Sequence, residues 1–253
     1  MLGTYLTAEN LKFKRSLFKK LMILIPAALI LISMVFIFVG IGLGGFSSAL
    51  VCNWCMPIAS LSIVFLSHLV NNKDQKHNYR TLYSLPINLQ KTFIAKTILI
   101  ALNLFNITLL LSLITVISEC FVSGILSAIG HSGYYLLGYG LLWLSLLWQI
   151  PFSLFLDQKV GFVGSVIINL FASAFGGLFF SLTPLFWFFP YSWPARFMVT
   201  LFGVLPNGLL VDGGSRLILN LGESALLVLI SLVVAFFLTL LFSRWYSKQV
   251  YRQ

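Results

Sequence analysis

Charged residues are scarce in this sequence, and acidic residues are the scarcest of them. Only 9% of the 253 residues are Asp, Glu, Lys or Arg, whereas 59% are hydrophobic, and Asp and Glu together number six. A soluble domain needs a far more polar surface, so this composition excludes an ordinary soluble enzyme or binding module. It indicates a membrane protein with several spans, because each spanning helix requires about 20 apolar residues.

Motifs for nucleotide binding and for metal chemistry are also missing. The sequence has no Gly-Lys dipeptide, which excludes the phosphate-binding loop of P-loop ATPases. Cys52 and Cys55 form a lone Cys-x-x-Cys without the second pair of a structural zinc site. They are interpreted as helix packing, with a disulfide involving Cys120 as the alternative. His68 and His77 lack the neighbours of a zinc protease. We therefore expect a chain that is not itself an enzyme and that holds no cofactor or metal.

Stretches without charge define the spans, since a charged side chain at mid-bilayer costs at least about 2.5 to 3.5 kcal/mol. The stretch 21–72 is too long for one helix and is divided by four glycines between 40 and 45. Turns are expected at 130–133 and 157–159. We predict an all-α integral membrane protein with six transmembrane helices in a single domain, 1–253. The predicted spans are 21–41, 47–70, 93–118, 134–156, 160–184 and 217–243.

Positive charge is distributed unevenly about these spans. Of the 16 Lys and Arg residues, all but Arg196 and Arg216 lie on the side of the two termini. Basic flanks are retained in the cytoplasm, so we expect both termini to be cytoplasmic. Anionic lipid headgroups account for the net charge of +10, and no nucleic-acid partner is expected.

The first 20 residues mix basic and apolar side chains. Leu2, Leu6, Phe13 and Leu17 recur at intervals that fit one helical face, which predicts an interfacial amphipathic helix over 1–20. A disordered basic flank is the alternative. The first apolar run starts late, is long and lacks a convincing cleavage site, so we expect the first span to be retained.

The longest cytoplasmic segment, 71–92, begins polar and becomes amphipathic. Arg80 and Tyr83 fall on one helical face, and Leu82 and Leu85 fall on another. A short helix across the ends of the spans would offer a surface that a partner protein can push. An ordinary solvated loop is the alternative.

Three features of the sequence point to one family. Residues 5–16 read Tyr-Leu-Thr-Ala-Glu-Asn-Leu-Lys-Phe-Lys-Arg-Ser, with an acid followed by Leu-Lys and a further basic residue. Residues 79–87 read Tyr-Arg-Thr-Leu-Tyr-Ser-Leu-Pro-Ile, and Lys91 and Lys96 follow. The third feature is six spans with a long outer segment before the last. In these features the sequence resembles the ABC-2 type permeases, and among them the lantibiotic-immunity ABC transporter permease subunits. The sequence departs from the family's pattern at Asp74, where an acidic pair is expected.

The resemblance implies that this chain is a permease that forms the transport path, while a separate ABC ATPase subunit binds ATP and Mg and supplies the energy. A second permease, identical or related, would complete the transporter in the bacterial plasma membrane. Its cargo would be an amphiphilic cationic peptide of the lantibiotic type, expelled from the lipid bilayer to give bacteriocin resistance. The implied ATPase-coupling loop comprises Tyr79, Arg80, Thr81, Leu82, Tyr83, Ser84, Leu85 and Pro86.

The outer segment 185–215 is aromatic and is broken by Pro and Gly. It is predicted to be a re-entrant or interfacial segment, in which the aromatic residues serve as packing and anchors. Its functional interpretation is a platform for a peptide in the outer leaflet, with nearby acids that attract cationic groups. The possible substrate contacts are Glu119, Trp187, Tyr191, Trp193 and Asp212.

Three other functions stay open at this point. An ABC-2 exporter could carry another cargo, such as a drug, a lipid-linked molecule or an ion. A stand-alone ion-coupled transporter would usually have internal repeats and acids buried within spans, and the sequence displays neither. A membrane sensor or scaffold would not transport at all, and its loop would recruit a signalling partner.

Overall fold

The computed structural model describes residues 2–14, 16–40, 45–75, 88–211 and 217–248. Within these ranges the regular structure is helical apart from one antiparallel bridge between Val204 and Leu210. The all-α prediction is therefore confirmed. The α-helices are α1 (Leu2–Lys12), α2 (Leu17–Phe38), α3 (Phe46–Asn53), α4 (Ala59–Gln75), α5 (Leu89–Ser123), α6 (Ile125–Leu146), α7 (Gln149–Phe175), α8 (Trp193–Phe202) and α9 (Leu221–Lys248).

Five helical stretches in the described ranges are long and apolar enough to cross a membrane. They are Leu17–Phe38, Phe46–Asp74, Leu89–Ser123, Gln149–Phe180 and Leu221–Lys248. The second of these joins α3 and α4 through a π-helical turn around Pro57, which has no N–H to continue the α-helical hydrogen bonding. Within its most apolar window 67% of the residues are buried, against 17% for α2 and for α9. α3 and α4 therefore form the centre of the molecule, and α2 and α9 lie at its edge.

α7 folds back on itself at Gly161, which has φ 80° and ψ 177°, a conformation that favours glycine. The amide side chains of Gln149 and Asn169 are hydrogen-bonded at 2.8 Å, although a straight helix would separate these residues by about 30 Å. The two parts of α7, 149–160 and 162–175, are therefore antiparallel. The first part continues α6, because the backbone between α6 and α7 keeps helical dihedral angles.

Two predicted turns are misplaced. The chain reverses at Gly161 rather than at 157–159, which lies within the first part of α7. The glycines at 130–133 lie inside α6, and α5 and α6 meet instead at Gly124, where φ is 86°. The sequence does not show which glycines must adopt a positive φ. Helices also tolerate glycine at a cost of about 1 kcal/mol, so a glycine-rich stretch need not be a turn.

The N-terminal helix is shorter than predicted. α1 ends at Lys12, and Ser16 has extended backbone angles (φ −95°, ψ 166°) immediately before α2 begins. Phe13 and Leu17 lie beyond the end of α1, and Phe13 is buried in the core, so these two residues do not continue the helical face of Leu2 and Leu6. Residues 17–20 therefore belong to the first spanning helix.

Candidate functional site

A cluster of four charged side chains lies where α1, α4 and α5 meet. Glu9, Asp74 and Lys96 are buried, and the side chain of Lys12 is 33% exposed. Lys96, which is 0% exposed, places Nζ 2.6 Å from Asp74 Oδ2. Lys12 places Nζ 2.7 Å from Glu9 Oε1 and 3.4 Å from Asp74 Oδ1. Two cations and two anions compensate one another, which is the condition for keeping charges away from water without a cost of several kcal/mol per ion. These four residues are called the charged cluster below.

Aromatic side chains close the charged cluster on two sides. The Tyr246 hydroxyl of α9 lies 3.4 Å from Lys96 Nζ, and the centroid of its ring lies 5.3 Å from the same atom. Lys73 donates a hydrogen bond to the carbonyl of Lys12 and lies 4.5 Å from the centroid of the Phe13 ring. Cation–π contacts add attraction, and the effect is larger for Lys96, which is buried, than for Lys73, which is exposed to solvent. The cluster thus connects α1, α4, α5 and α9.

The charged cluster adjoins one end of segment 76–87, which contains the predicted coupling loop and falls outside the described residues. Asp74 stands in the last turn of α4, which ends at Gln75 immediately before that segment. Asn88, immediately after it, caps α5 by accepting hydrogen bonds from two backbone N–H groups of the first turn. The backbone N–H of Asn88 also donates to the Tyr5 hydroxyl at 3.0 Å. Both ends of the segment are therefore attached to α1.

A second buried polar group joins α4 to the first part of α7. Asp157, 2% exposed, receives a hydrogen bond from Asn71 Nδ2 at 2.9 Å and lies 2.9 Å from His68 Nδ1. Gln158 donates back to Asn71 at 3.0 Å. Because buried polar groups are costly when they lose a partner, these contacts hold the two helices in one register. A displacement of the end of α4 would move α7 with it.

Asn169 is the centre of a third polar group, deeper in the bundle. Its Oδ1 accepts hydrogen bonds from Gln149 at 2.8 Å, from the Tyr191 hydroxyl at 2.9 Å and from Ser153 at 3.3 Å. Tyr191 was predicted as a possible substrate contact, and its hydroxyl is used here inside the protein. These polar side chains join the two parts of α7 to each other and to the segment that carries Tyr191.

The aromatic outer segment folds in between the helices. Trp193 is 1% exposed and donates from its indole nitrogen to the carbonyl of Phe186 at 3.0 Å. Its ring centroid lies 6.2 Å from that of Trp148. α8 then leads away from this level until Phe202 meets the ring of Tyr139 at 5.3 Å. The segment therefore folds inwards as far as Trp148, which lies between α6 and α7, and then runs back along α6 to Tyr139.

Arg196 stabilises the inward fold of this segment. It is nearly buried, donates from Nη1 to the carbonyl of Ser181 at 3.0 Å and lies 4.7 Å from the centroid of the Phe186 ring. Burial lowers the pKa of the Arg196 guanidinium, and the carboxylate of Glu223 acts in the opposite direction. Arg196 was read from the sequence as a charge on the outer side, and it contributes to packing there.

The aromatic segment lies close to Gly176, so a substitution at Gly176 tests whether the segment packs inside the protein. A Cβ at position 176 would lie 2.9 Å from Phe189 Cε1 and from the Tyr191 carbonyl carbon. We expect Gly176→Ala to lower the free energy of unfolding by about 1 to 3 kcal/mol, because backbone has to move. Gly140→Ala is the matched control, since nothing lies within 4 Å of its added Cβ. Thermal unfolding in detergent measures both, and equal midpoints would contradict the described packing.

The predicted substrate contacts are not brought together. Glu119 lines a cavity of about 240 Å³ at the far end of α5, together with Tyr134, Tyr135 and Phe202. Trp187, Tyr191 and Trp193 do not line this cavity. Asp212 lies outside the described residues.

Sequence reasoning missed the charged cluster and the two tyrosines beside Glu119. Lys96 was assigned to the basic cytoplasmic edge, although it stands within an apolar run. A single charge with apolar neighbours on both sides is the signal that would have marked it as a buried, paired residue. No comparable signal distinguishes Tyr134 or Tyr135 from ordinary interfacial aromatics.

Comparisons with known proteins add no assignment: no family model, no curated protein and no solved structure matches this chain. Among the residues with described positions, no group of three His, Cys, Asp or Glu side chains is arranged to hold a metal ion. Cys52, Cys55 and Cys120 are free thiols.

Proposed function

We propose that this chain is the permease subunit of an ABC transporter that uses ATP hydrolysed by a separate subunit to expel a lantibiotic-like peptide from the bacterial plasma membrane. The observation that carries the proposal is the attachment of both ends of segment 76–87 to α1, at Asp74 through the charged cluster and at Asn88 through Tyr5. Asp74 and Asn88 flank the segment, and each contacts α1. A partner that pushes this segment would therefore move α1, α4 and α5 together.

The route of such a push can be followed through the described contacts. From Asp74 it reaches Lys96 of α5 and, through Lys96, the Tyr246 hydroxyl of α9. Along α4 it reaches Asp157, which is hydrogen-bonded to Asn71. Buried, compensated polar groups transmit displacement because separating them leaves each member without a partner. Together with α1, a displacement of this segment would thus reach five helices, namely α1, α4, α5, α7 and α9.

A six-span topology follows if α6 and the first part of α7 form one span and the remainder of α7 forms the next. Both termini would then lie on the same side as the charged cluster and as most of the Lys and Arg residues. Positive charge on that side is typical of the cytoplasm. The exposed apolar surfaces of α2 and α9 would be covered by lipid or by a second permease.

The proposal is tested by identifying what the chain binds in its native membrane. The full chain is tagged, purified in mild detergent and analysed by mass spectrometry, with an unrelated tagged multispan protein from the same membrane as background. We expect an ABC ATPase to be enriched, alone or with one further six-span chain. A folded, oligomeric preparation with no nucleotide-binding chain would reject the permease role and favour a scaffold or a stand-alone transporter.

The cargo is tested separately in a strain that lacks the chain. We expect increased sensitivity to lantibiotics and unchanged sensitivity to uncharged drugs, because the cargo is proposed to be a cationic peptide. The reverse profile would retain the ABC transporter and reject the peptide cargo.

A further inference from the structure

The cavity beside Glu119 combines one carboxylate with aromatic walls. It is lined by residues of α3, α5, α6 and α8, by Gly45 immediately before α3 and by Val204 shortly after α8. Its volume is about 240 Å³. At about 30 Å³ per water molecule it has room for several waters or for a short aliphatic chain. The rings of Tyr135 and Phe202 are stacked on one wall, 6.3 Å apart and 19° from parallel.

Glu119 has part of its hydrogen-bonding capacity left over. Its Oε1 accepts from Ser123 at 2.6 Å, and its carboxylate interacts with the Tyr135 hydroxyl. A carboxylate offers about four lone-pair sites, so these two contacts leave room for a further donor. Among the residues whose positions are described, no Lys, Arg or His forms an ion pair with Glu119. The negative charge therefore has no described counter-ion.

From this arrangement we infer that the cavity is a binding site for a primary ammonium group on an aliphatic chain. The carboxylate attracts the cation, and the aromatic side chains of Tyr134, Tyr135 and Phe202 that line the cavity favour both the charge and the methylene groups next to it. An ammonium group presents three N–H donors and needs only one free lone pair of the carboxylate, which Glu119 retains beside its contacts with Ser123 and Tyr135.

The lysine side chain of a peptide is the natural occupant that follows from this chemistry. That assignment rests on the proposed function, because it takes the cargo to be a cationic peptide. The ammonium site itself does not depend on it. Glu119 repels an anionic ligand, and a purely apolar ligand would leave its remaining lone pairs unused and its charge without a counter-ion.

Direct binding to the purified chain tests the site without the ATPase. The full chain is placed in nanodiscs of zwitterionic phosphatidylcholine, and dansylcadaverine, a fluorescent five-carbon primary amine, is titrated while its anisotropy is followed. Its N-acetyl derivative has the same dye and chain without the charge, and empty nanodiscs correct for binding to lipid. We expect the amine to bind about tenfold more tightly than the acetylated probe, as a charge-assisted contact implies.

Two variants locate the site. Glu119→Gln should raise the dissociation constant of the amine about tenfold and leave that of the acetylated probe unchanged. Tyr135→Leu should raise it about two- to fivefold through loss of the aromatic face. Glu223→Gln is the matched control: Glu223 is exposed at the start of α9, where its carboxylate accepts from the Asn220 N–H, and glutamine can keep that cap.

The inference is overturned if wild-type protein binds both probes equally, if Glu119→Gln binds the amine like wild type, or if Glu223→Gln weakens binding as much. Each of these results leaves the proposed permease role standing. Conversely, absence of a co-purified ATPase would reject the permease role without touching the ammonium site. Thermal unfolding of every variant confirms that the proteins compared are folded.

Discussion

Replacing Asp74 by asparagine should lower the free energy of unfolding by about 3 to 5 kcal/mol, the usual cost of breaking a buried ion pair from one side. The substitution keeps the size of the side chain and removes its charge. Lys96, 0% exposed, would lose the carboxylate that lies 2.6 Å from its ammonium. Lys12 would keep Glu9, so the uncompensated charge would fall on the fully buried lysine. Denaturant unfolding in detergent and the yield of folded protein in membranes measure the effect.

A double-mutant cycle separates the lost ion pair from any other consequence of the substitution. Lys96→Met alone leaves Asp74 with only the longer contact to Lys12, at 3.4 Å. Asp74→Asn combined with Lys96→Met removes one charge of each sign, and replacing both partners is often close to neutral. We therefore expect the double variant to be more stable than Asp74→Asn alone. Lys91→Met, a partly exposed lysine on the same helix, is the matched control and should change little.

Two results would contradict the explanation by a buried ion pair. Wild-type stability of Asp74→Asn would mean that Lys96 is adequately compensated by Tyr246 or by water. A double variant as unstable as the single one would mean that the side chains act through packing rather than through charge. The charged cluster would then offer no support for transmission from segment 76–87.

Charged residues in place of Leu82, Tyr83 and Leu85 should abolish peptide export without unfolding the chain. The prediction treats these side chains as the contact surface of the coupling loop. In protein interfaces a few central side chains carry most of the binding energy, about 2 kcal/mol or more each. Loss of three such contacts would reduce ATPase binding by several orders of magnitude. Co-purification of the ATPase, export-linked protection of cells and thermal unfolding of the chain are measured together.

Asn78→Glu is the control for the loop, because it adds a charge to the same segment without removing an apolar side chain. It should leave export within about twofold of wild type, the level expected of a peripheral contact. Normal export by the triple variant would reject the coupling assignment for 79–86. Loss of export together with loss of folded protein would show that these residues stabilise the chain instead.

Composition and charge spacing predicted the coarse fold, and the reason is physical. A run of about 20 apolar residues in a chain with 9% charged residues has few stable alternatives to a helix in a bilayer. The predicted segments 47–70 and 93–118 accordingly lie inside the longer helical stretches Phe46–Asp74 and Leu89–Ser123. The turns were less predictable, since only the backbone angles distinguish Gly124 and Gly161 from the other glycines.

The structure describes some of the predicted site residues and not others. The coupling residues 79–86 and Asp212 lie outside the described ranges. Trp193 and Tyr191 were expected as outer contacts because aromatic residues cluster at headgroup level, and both are engaged in contacts inside the protein. Hydropathy measures how much a residue avoids water, so it does not separate a binding surface from a packed segment.

By itself the sequence determined that this protein is helical, apolar and charged on one predicted side, because these properties are sums over residues in order. Only the tertiary structure decided which charges meet. Asp74 and Lys96 lie on either side of segment 76–87, and Lys12 belongs to a different helix, yet one network joins them. Glu119 likewise gains its aromatic neighbours from α6 and α8. Electrostatic and cation–π energies depend on distances of a few ångströms, which helix packing sets and linear spacing does not.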